Sequence, residues 1–163
     1  MATLGNHVIV GVMGGGSADT DQAEKAYRLG QLIAAEGWIL LNGGRRAGIM
    51  EASARGAYER GGLTVGILPD ADTRHMSPYI QIPILTGMGS ARNYINALSS
   101  HVMVACPGGA GTLSEIALAL KHGRPVVLMG MQAGDFFAEY QAQGRLRKAA
   151  TPEEAIAAIK SYL

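Results

Sequence analysis

The chain has 163 residues, 48% of them hydrophobic, and a net charge of +1, with a pI near 7.9. That length and apolar content suit one domain spanning residues 1–163 with a proper buried core, which excludes a disordered chain. The charge gives no bulk attraction to nucleic acid, no apolar run reaches the roughly 18 residues that a bilayer needs, and the single Cys106 excludes an internal disulfide and suits a reducing cytoplasm.

Residues 1–6 lead into an apolar run without a basic start, so no signal peptide is expected there. Residues 7–13 are β-branched and nearly continuous in apolar character, as in a strand covered on both faces. Asp19 and Thr20 offer an N-cap to a helix marked by Ala23, Ala26, Tyr27, Gly30, Ile33 and Ala34, and Gly37 stops it. A second strand over 38–41 closes on Asn42, and a helix over about 48–60 follows, stopped by Gly61 and Gly62. The third strand covers 64–68 and ends at Pro69. Residues 70–80 are irregular, and Ile82, Ile84 and Leu85 suggest a short fourth strand interrupted by Pro83. A helix starting near Ser90 carries Arg92 and Asn93 in its first turn. A buried strand over 102–105, a helix over 112–122 and a strand over 126–129 come next. After a polar segment, Thr151 and Glu154 frame a capping box, with Pro152 at the first helical position of a last helix.

Strands alternating with helices at this spacing predict an α/β, Rossmann-like doubly wound parallel sheet with helices on both faces. Glycine is the outlier in composition: 23 residues, about twice the usual share of roughly 7%. They cluster at Gly14-Gly15-Gly16, Gly43-Gly44 and Gly108-Gly109-Ala110-Gly111, each cluster directly after a strand. Right-handed crossovers bring those loops to one edge, where open α/β sheets bind ligands. Glycine lets backbone N–H groups approach an anion, and the following helix N-terminus adds a favourable dipole. A phosphate-bearing small ligand is therefore expected at that edge.

Other nucleotide motifs fail. The chain contains no Gly-x-x-x-x-Gly-Lys-Ser/Thr, residues 14–17 do not continue as Gly-x-Gly-x-x-Gly, and the second strand ends in Asn42 rather than an acid that would hold an NAD ribose. Near-neutral charge and 6% aromatics speak against a stacking groove for single-stranded DNA.

The segment Pro107-Gly108-Gly109-Ala110-Gly111-Thr112-Leu113-Ser114-Glu115 resembles the PGGxGTxxE signature shared by the lonely-guy (LOG) and molybdenum-cofactor carrier branches of one Rossmann-like superfamily. Residues 42–51 are similar to its second glycine loop, and Arg92 lies fifteen positions before Pro107, where the family places its active-site arginine. The resemblance covers roughly residues 7–130. In the LOG branch, the matching arginine and glutamate cleave the N-glycosidic bond of a nucleoside 5′-monophosphate, which would make Arg92 and Glu115 catalytic. The carrier branch holds molybdenum cofactor, a pterin with a terminal phosphate, without turning it over. This chain is more similar to the carriers. It has Leu41-Asn42-Gly43-Gly44-Arg45 where LOG enzymes have a tyrosine and three glycines, and Ser90-Ala91-Arg92-Asn93 where they have Met-x-x-Arg-Lys. The resemblance thus implies molybdenum cofactor as cargo and a homo-oligomer, dimer or tetramer, with the helix of Arg92 near a subunit boundary. The implied contacts are Gly14, Gly15, Gly16, Ser17, Gly43, Gly44, Arg45, Arg92, Asn93, Gly108, Gly109, Ala110, Gly111, Thr112 and Glu115.

Each polar residue also has a structural use. Thr112 and Glu115 have capping-box spacing, Ser17 can cap a helix, Arg45 and Arg92 can be solvated charges, and Glu51 complements a helix dipole. Cys106 reads as a small buried strand-end residue. His7, His75, His101 and His122 lack ligand spacing, so no structural metal is expected.

Overall fold

A computed structural model describes residues 7–163, so residues 1–6 and the signal-peptide question lie outside it. The strands are β1 (Ile9–Met13), β2 (Ile39–Asn42), β3 (Thr64–Leu68), β4 (Ile82–Leu85), β5 (Val102–Ala105), β6 (Val126–Met129) and β7 (Leu146–Ala149). The helices are α1 (Thr20–Ala35), α2 (Gly48–Glu59), α3 (Arg92–Ser99), α4 (Ala110–Lys121), α5 (Ala138–Ala142) and α6 (Pro152–Lys160). The strands form one parallel sheet in the order β4-β3-β2-β1-β5-β6-β7. Among the described residues no helix is long and apolar enough to cross a membrane.

The sheet is doubly wound because its apolar strands need cover on both faces. Val10, Val12, Leu40, Val102 and Val104 pack with Leu29, Ile33, Ile49 and Ile159, burying the inner stripes of α1, α2 and α6 on one face. Met13, Leu41, Met103 and Ala105 pack with Ala97, Ile116, Leu120 and Phe137 on the other, beneath α3 and α4. β1 and β5 are neighbours, yet α1 leaves β1 for one face and α4 leaves β5 for the opposite one. That divergence opens a crevice at their carboxyl ends.

α1 and α2 cross at very close range. A Cβ on Gly30 would collide with the Ser53 carbonyl oxygen, and one on Gly56 with that of Tyr27. α1 is capped by Asp19, whose side chain accepts from the Gln22 N–H at 2.8 Å while Gln22 Oε1 accepts from the Asp19 N–H. Ser17 is not the cap.

Three regions differ from the sequence-based expectation. The segment before the last helix, read from the sequence only as polar, holds α5 and β7. β7 sits at the sheet edge, and Arg147 and Lys148 point outward between the buried Leu146 and Ala149. Charge in mid-strand hid it, yet charge is how exposed edges are protected from further pairing. β4 runs through Pro83 without interruption, because an edge strand can accommodate a missing N–H. At the last helix Thr151 caps Glu154, but the Glu154 carboxylate reaches back to the Ala150 N–H, one residue beyond the expected box.

Candidate functional site

The loop after β1 is fixed by its neighbours. The Gly15 N–H donates to the Pro107 carbonyl at 2.9 Å, and the Gly15 carbonyl accepts from the Ile49 N–H at 3.1 Å. Gly48 has φ +47°, and a Cβ there would strike the Gly15 carbonyl. The loops after β1 and β5 and the start of α2 are therefore joined through one residue.

Asn42 ends β2 fully buried. Its amide donates to the Met50 carbonyl at 2.9 Å and to Ser53 Oγ at 3.1 Å, and its Oδ1 accepts from the Gly44 N–H at 2.8 Å. Asn42 thus pins the strand end to α2. Gly44 packs against Gly66 and Leu68, its N–H committed to Asn42, away from the crevice. Gly43 leaves room for the guanidinium of Arg92, which any Cβ there would meet.

Arg92 opens α3 just after a 3-10 turn at Gly89–Ala91. Its Nη1 donates to the Ile67 carbonyl at 3.0 Å, and its Nε is enclosed without a partner among the described residues. It is not a solvated surface charge. Burial pulls its pKa down and the Glu115 carboxylate opposes that, but a guanidinium remains protonated. Arg45 pairs with Asp70 through Nη2 at 3.1 Å and Nε at 3.3 Å.

α4 starts at Ala110, two residues earlier than expected, with Gly109 as an N-cap that makes no side-chain bond. The expected capping box between Thr112 and Glu115 does not form. Thr112 lies inside the helix, and a Cβ on Gly108 would collide with its Oγ1. Glu115 turns to α3 and accepts from Asn96 Nδ2 at 2.9 Å. Its carboxyl is 6% exposed, and burial pushes its pKa up. Uncapped first-turn N–H groups are anion donors, and residues 108–111 are exposed. Gly109 has φ −103°, so no left-handed backbone requires glycine there, and the space around its α-carbon is open.

These elements surround a cleft of about 520 Å³ at the carboxyl edge of the sheet. It gathers Gly14, Gly15, Gly16, Gly43, Arg45, Arg92, Asn93, Gly109, Gly111, Thr112 and Glu115 from the sequence-derived set. Ser17 and Gly108 lie in an adjoining recess with Gln22 and Pro107, whereas Gly44 and Ala110 line neither. Met50, Pro69, Asp70 and Ser90 also line the cleft and were missed. The signal for Asp70 was its place directly after β3, on the same sheet edge as the glycine loops. With Arg45 matched by Asp70, Arg92 and the start of α4 are the features left to attract an anion. Among the described residues no group of three His, Cys, Asp or Glu side chains could hold a metal. Cys106 is buried and does not line the cleft, and burial pushes its thiol up to about 12, away from thiolate chemistry.

The SLOG cluster4 family profile matches residues 7–156. The molybdenum cofactor binding protein from the phototrophic bacterium Rippkaea orientalis is 47% identical with a TM-score of 0.90, the match covering 96% of this chain and 98% of that one. The Moco carrier protein from Chlamydomonas reinhardtii is 51% identical with a TM-score of 0.88, over the same 96% and 98%. A cytokinin riboside 5′-monophosphate phosphoribohydrolase from Mycobacterium tuberculosis is 32% identical over 119 residues, spanning 65% of this chain and 61% of the relative.

Proposed function

This chain belongs to the SLOG cluster4 family, and on that premise we propose that it binds molybdenum cofactor in the cleft as cargo, without turnover. The observation that carries the reading is the joined set of glycine loops, whose exposed backbone at 108–111 meets the uncapped start of α4 beside Arg92. The phosphate of the pterin would sit against the α4 N–H groups and the Arg92 guanidinium, where dipole and charge act in the same direction. Near-full-length similarity to proteins described as molybdenum cofactor carriers supports the same ligand. The single domain would act as a homo-oligomer in the reducing cytoplasm, without nucleic acid. Exposed Met88 and Tyr94 beside Arg92, and Leu113 on α4, would lie at a subunit boundary.

The test is native mass spectrometry and absorbance of the protein purified beside an active cofactor pathway. Retained cofactor is expected, and light scattering should report a dimer or tetramer. Protein that neither retains the cofactor nor slows its oxidation would sink the carrier reading.

A phosphoribohydrolase is the second reading. The buried Glu115 with its raised pKa, lining the same cleft as Arg92, favours it. Such a carboxyl can stabilise an oxocarbenium-like centre or activate water. Hydrolysis of AMP that Glu115→Gln slows on the order of 10²-fold or more would establish it.

A further inference from the structure

Four charged side chains line the cleft: Arg45, Asp70, Arg92 and Glu115. Glu115 is buried against Asn96, whereas Arg45 and Asp70 remain reachable, their side chains 40% and 24% exposed. Arg45 grips Asp70 with two donors, Nη2 at 3.1 Å and Nε at 3.3 Å. The charges of Arg45 and Asp70 both act on Arg92, in opposite senses, so neither is remote from it. Neighbouring charges stay out of this balance. Asp72 pairs with Arg74 at 2.8 Å, and Arg46 lines a separate groove formed by residues of α1 and α2.

The pair is not needed to hold the loop after β2. The Arg46 N–H donates to the His75 carbonyl and the Ser77 N–H to the Gly44 carbonyl, each at 2.9 Å. Asp70 is itself anchored: its carbonyl accepts from the Gly87 N–H at 3.1 Å, and that of Pro69 from the Gly89 N–H at 3.0 Å. A partly exposed ion pair adds little to such a frame. Its effect is on the field in the cleft, where Asp70 occupies the fork of the only cation besides Arg92. The adjoining recess, lined by Ser17, Gln22 and Gly108 among others, holds no charged side chain. A first phosphate thus has Arg92 and the start of α4, and a second has no uncompensated cation in either cavity.

We infer that Asp70 is a specificity-determining residue: by holding Arg45, it restricts the cleft to ligands with a single phosphate and disfavours those carrying a diphosphate. This rests on the reading that a phosphate binds beside Arg92, and on nothing about the rest of the ligand or its turnover. A diphosphate can recruit Arg45 only by displacing Asp70 from the guanidinium fork. The carboxylate is then left facing phosphate oxygens, and like charges at close range repel. An open cationic cleft would favour the more highly charged diphosphate. Asp70 removes that advantage.

The probes are inorganic phosphate and pyrophosphate, titrated separately without divalent metal and followed by backbone amide shifts. Both should perturb residues 108–112 of the parent, with pyrophosphate bound no more tightly than phosphate. Asp70→Asn loosens the hold on Arg45 and should move the affinity ratio toward pyrophosphate about tenfold. Adding Arg45→Gln to that variant should abolish the gain, and Asp70→Glu should keep the parent's ratio. Thermal melts check that all the variants fold. The inference alone is overturned if shifts appear at 108–112 but the parent already prefers pyrophosphate, if Asp70→Asn leaves the ratio unchanged, or if the gain survives Arg45→Gln. No shift there with either anion would remove the phosphate reading itself, and this inference with it.

Discussion

Asn96 and Glu115 join α3 to α4 by a single amide-to-carboxylate hydrogen bond of 2.9 Å, with Asn96 wholly buried and Glu115 nearly so. This bond, rather than a helix cap, is what the glutamate of the glycine motif makes here. It turns the carboxyl inward, toward the helix that carries Arg92.

Burial raises the Glu115 pKa in the folded chain, with the Asn96 bond and Arg92 opposing in that order. A raised carboxyl contributes stability that is fully present below its unfolded pKa of about 4.3 and is lost as pH rises through the folded value. Glu115→Gln, which still accepts from Asn96, should therefore be more stable than the parent at pH 7. The gap should close below about pH 4.3. Urea midpoints across that range test it, and a constant gap would refute it. Asn96→Leu removes the amide that donates to Glu115 and should cost roughly 1–3 kcal/mol at pH 7.

Neighbouring glycines should behave in opposite ways. Gly109→Val meets open space at a φ any residue adopts, so the fold should stay within about 1 kcal/mol of the parent. The valine would stand where an anion approaches the backbone, so cofactor binding should be lost. Gly108→Ala would collide with Thr112 Oγ1 and crowd the Gly15 amide, costing about 1–3 kcal/mol of stability. Denaturation and cofactor retention, measured on both variants, separate the two roles. Normal retention by Gly109→Val would mean that the anion does not lie on this loop.

Asn42→Asp keeps the acceptor for the Gly44 N–H but replaces both donations with a carboxylate facing the Met50 carbonyl and Ser53. A loss of roughly 2–4 kcal/mol is expected, because a buried charge is set against the Met50 carbonyl oxygen, which loses its donor. Calorimetry reads it directly, and a variant as stable as the parent would contradict the pinning role.

His101 should make the fold acid-sensitive. Burial, then Arg124, lowers its pKa, and its Nδ1 accepts from the Ile9 N–H at 3.0 Å. Protonating that nitrogen would break the bond at the start of β1. A depressed histidine contributes stability that is present above its unfolded pKa of about 6.5 and lost as pH falls below it. Unfolding free energy should decline from pH 7 toward pH 5, and His101→Gln should flatten that decline. An unchanged slope in the variant would remove His101 as the cause.

The central strands were legible because β-branched runs bounded by glycine have few alternatives. β7 was not, since its two exposed mid-strand positions carry charge and only its ends are buried. The glycine loops were legible as a group, but not the separate reason for each glycine. Gly43 clears space for Arg92, Gly44 packs behind the sheet edge, and Gly109 alone stands open. Glu115 looked like a cap because its spacing from Thr112 is right for one. What decided against it was Asn96, nineteen positions away, a contact that spacing along one helix does not reveal.

Gly15 bonds to the start of α2 and to the loop after β5 within the folded chain itself, so these segments are held together before anything arrives. Ordering those segments then belongs to folding rather than to association, and preorganisation of this kind lowers the entropic cost of capture. A ligand should enter with little backbone rearrangement and at a rate governed by collision and charge. Affinity would accordingly be expressed in the rate of departure.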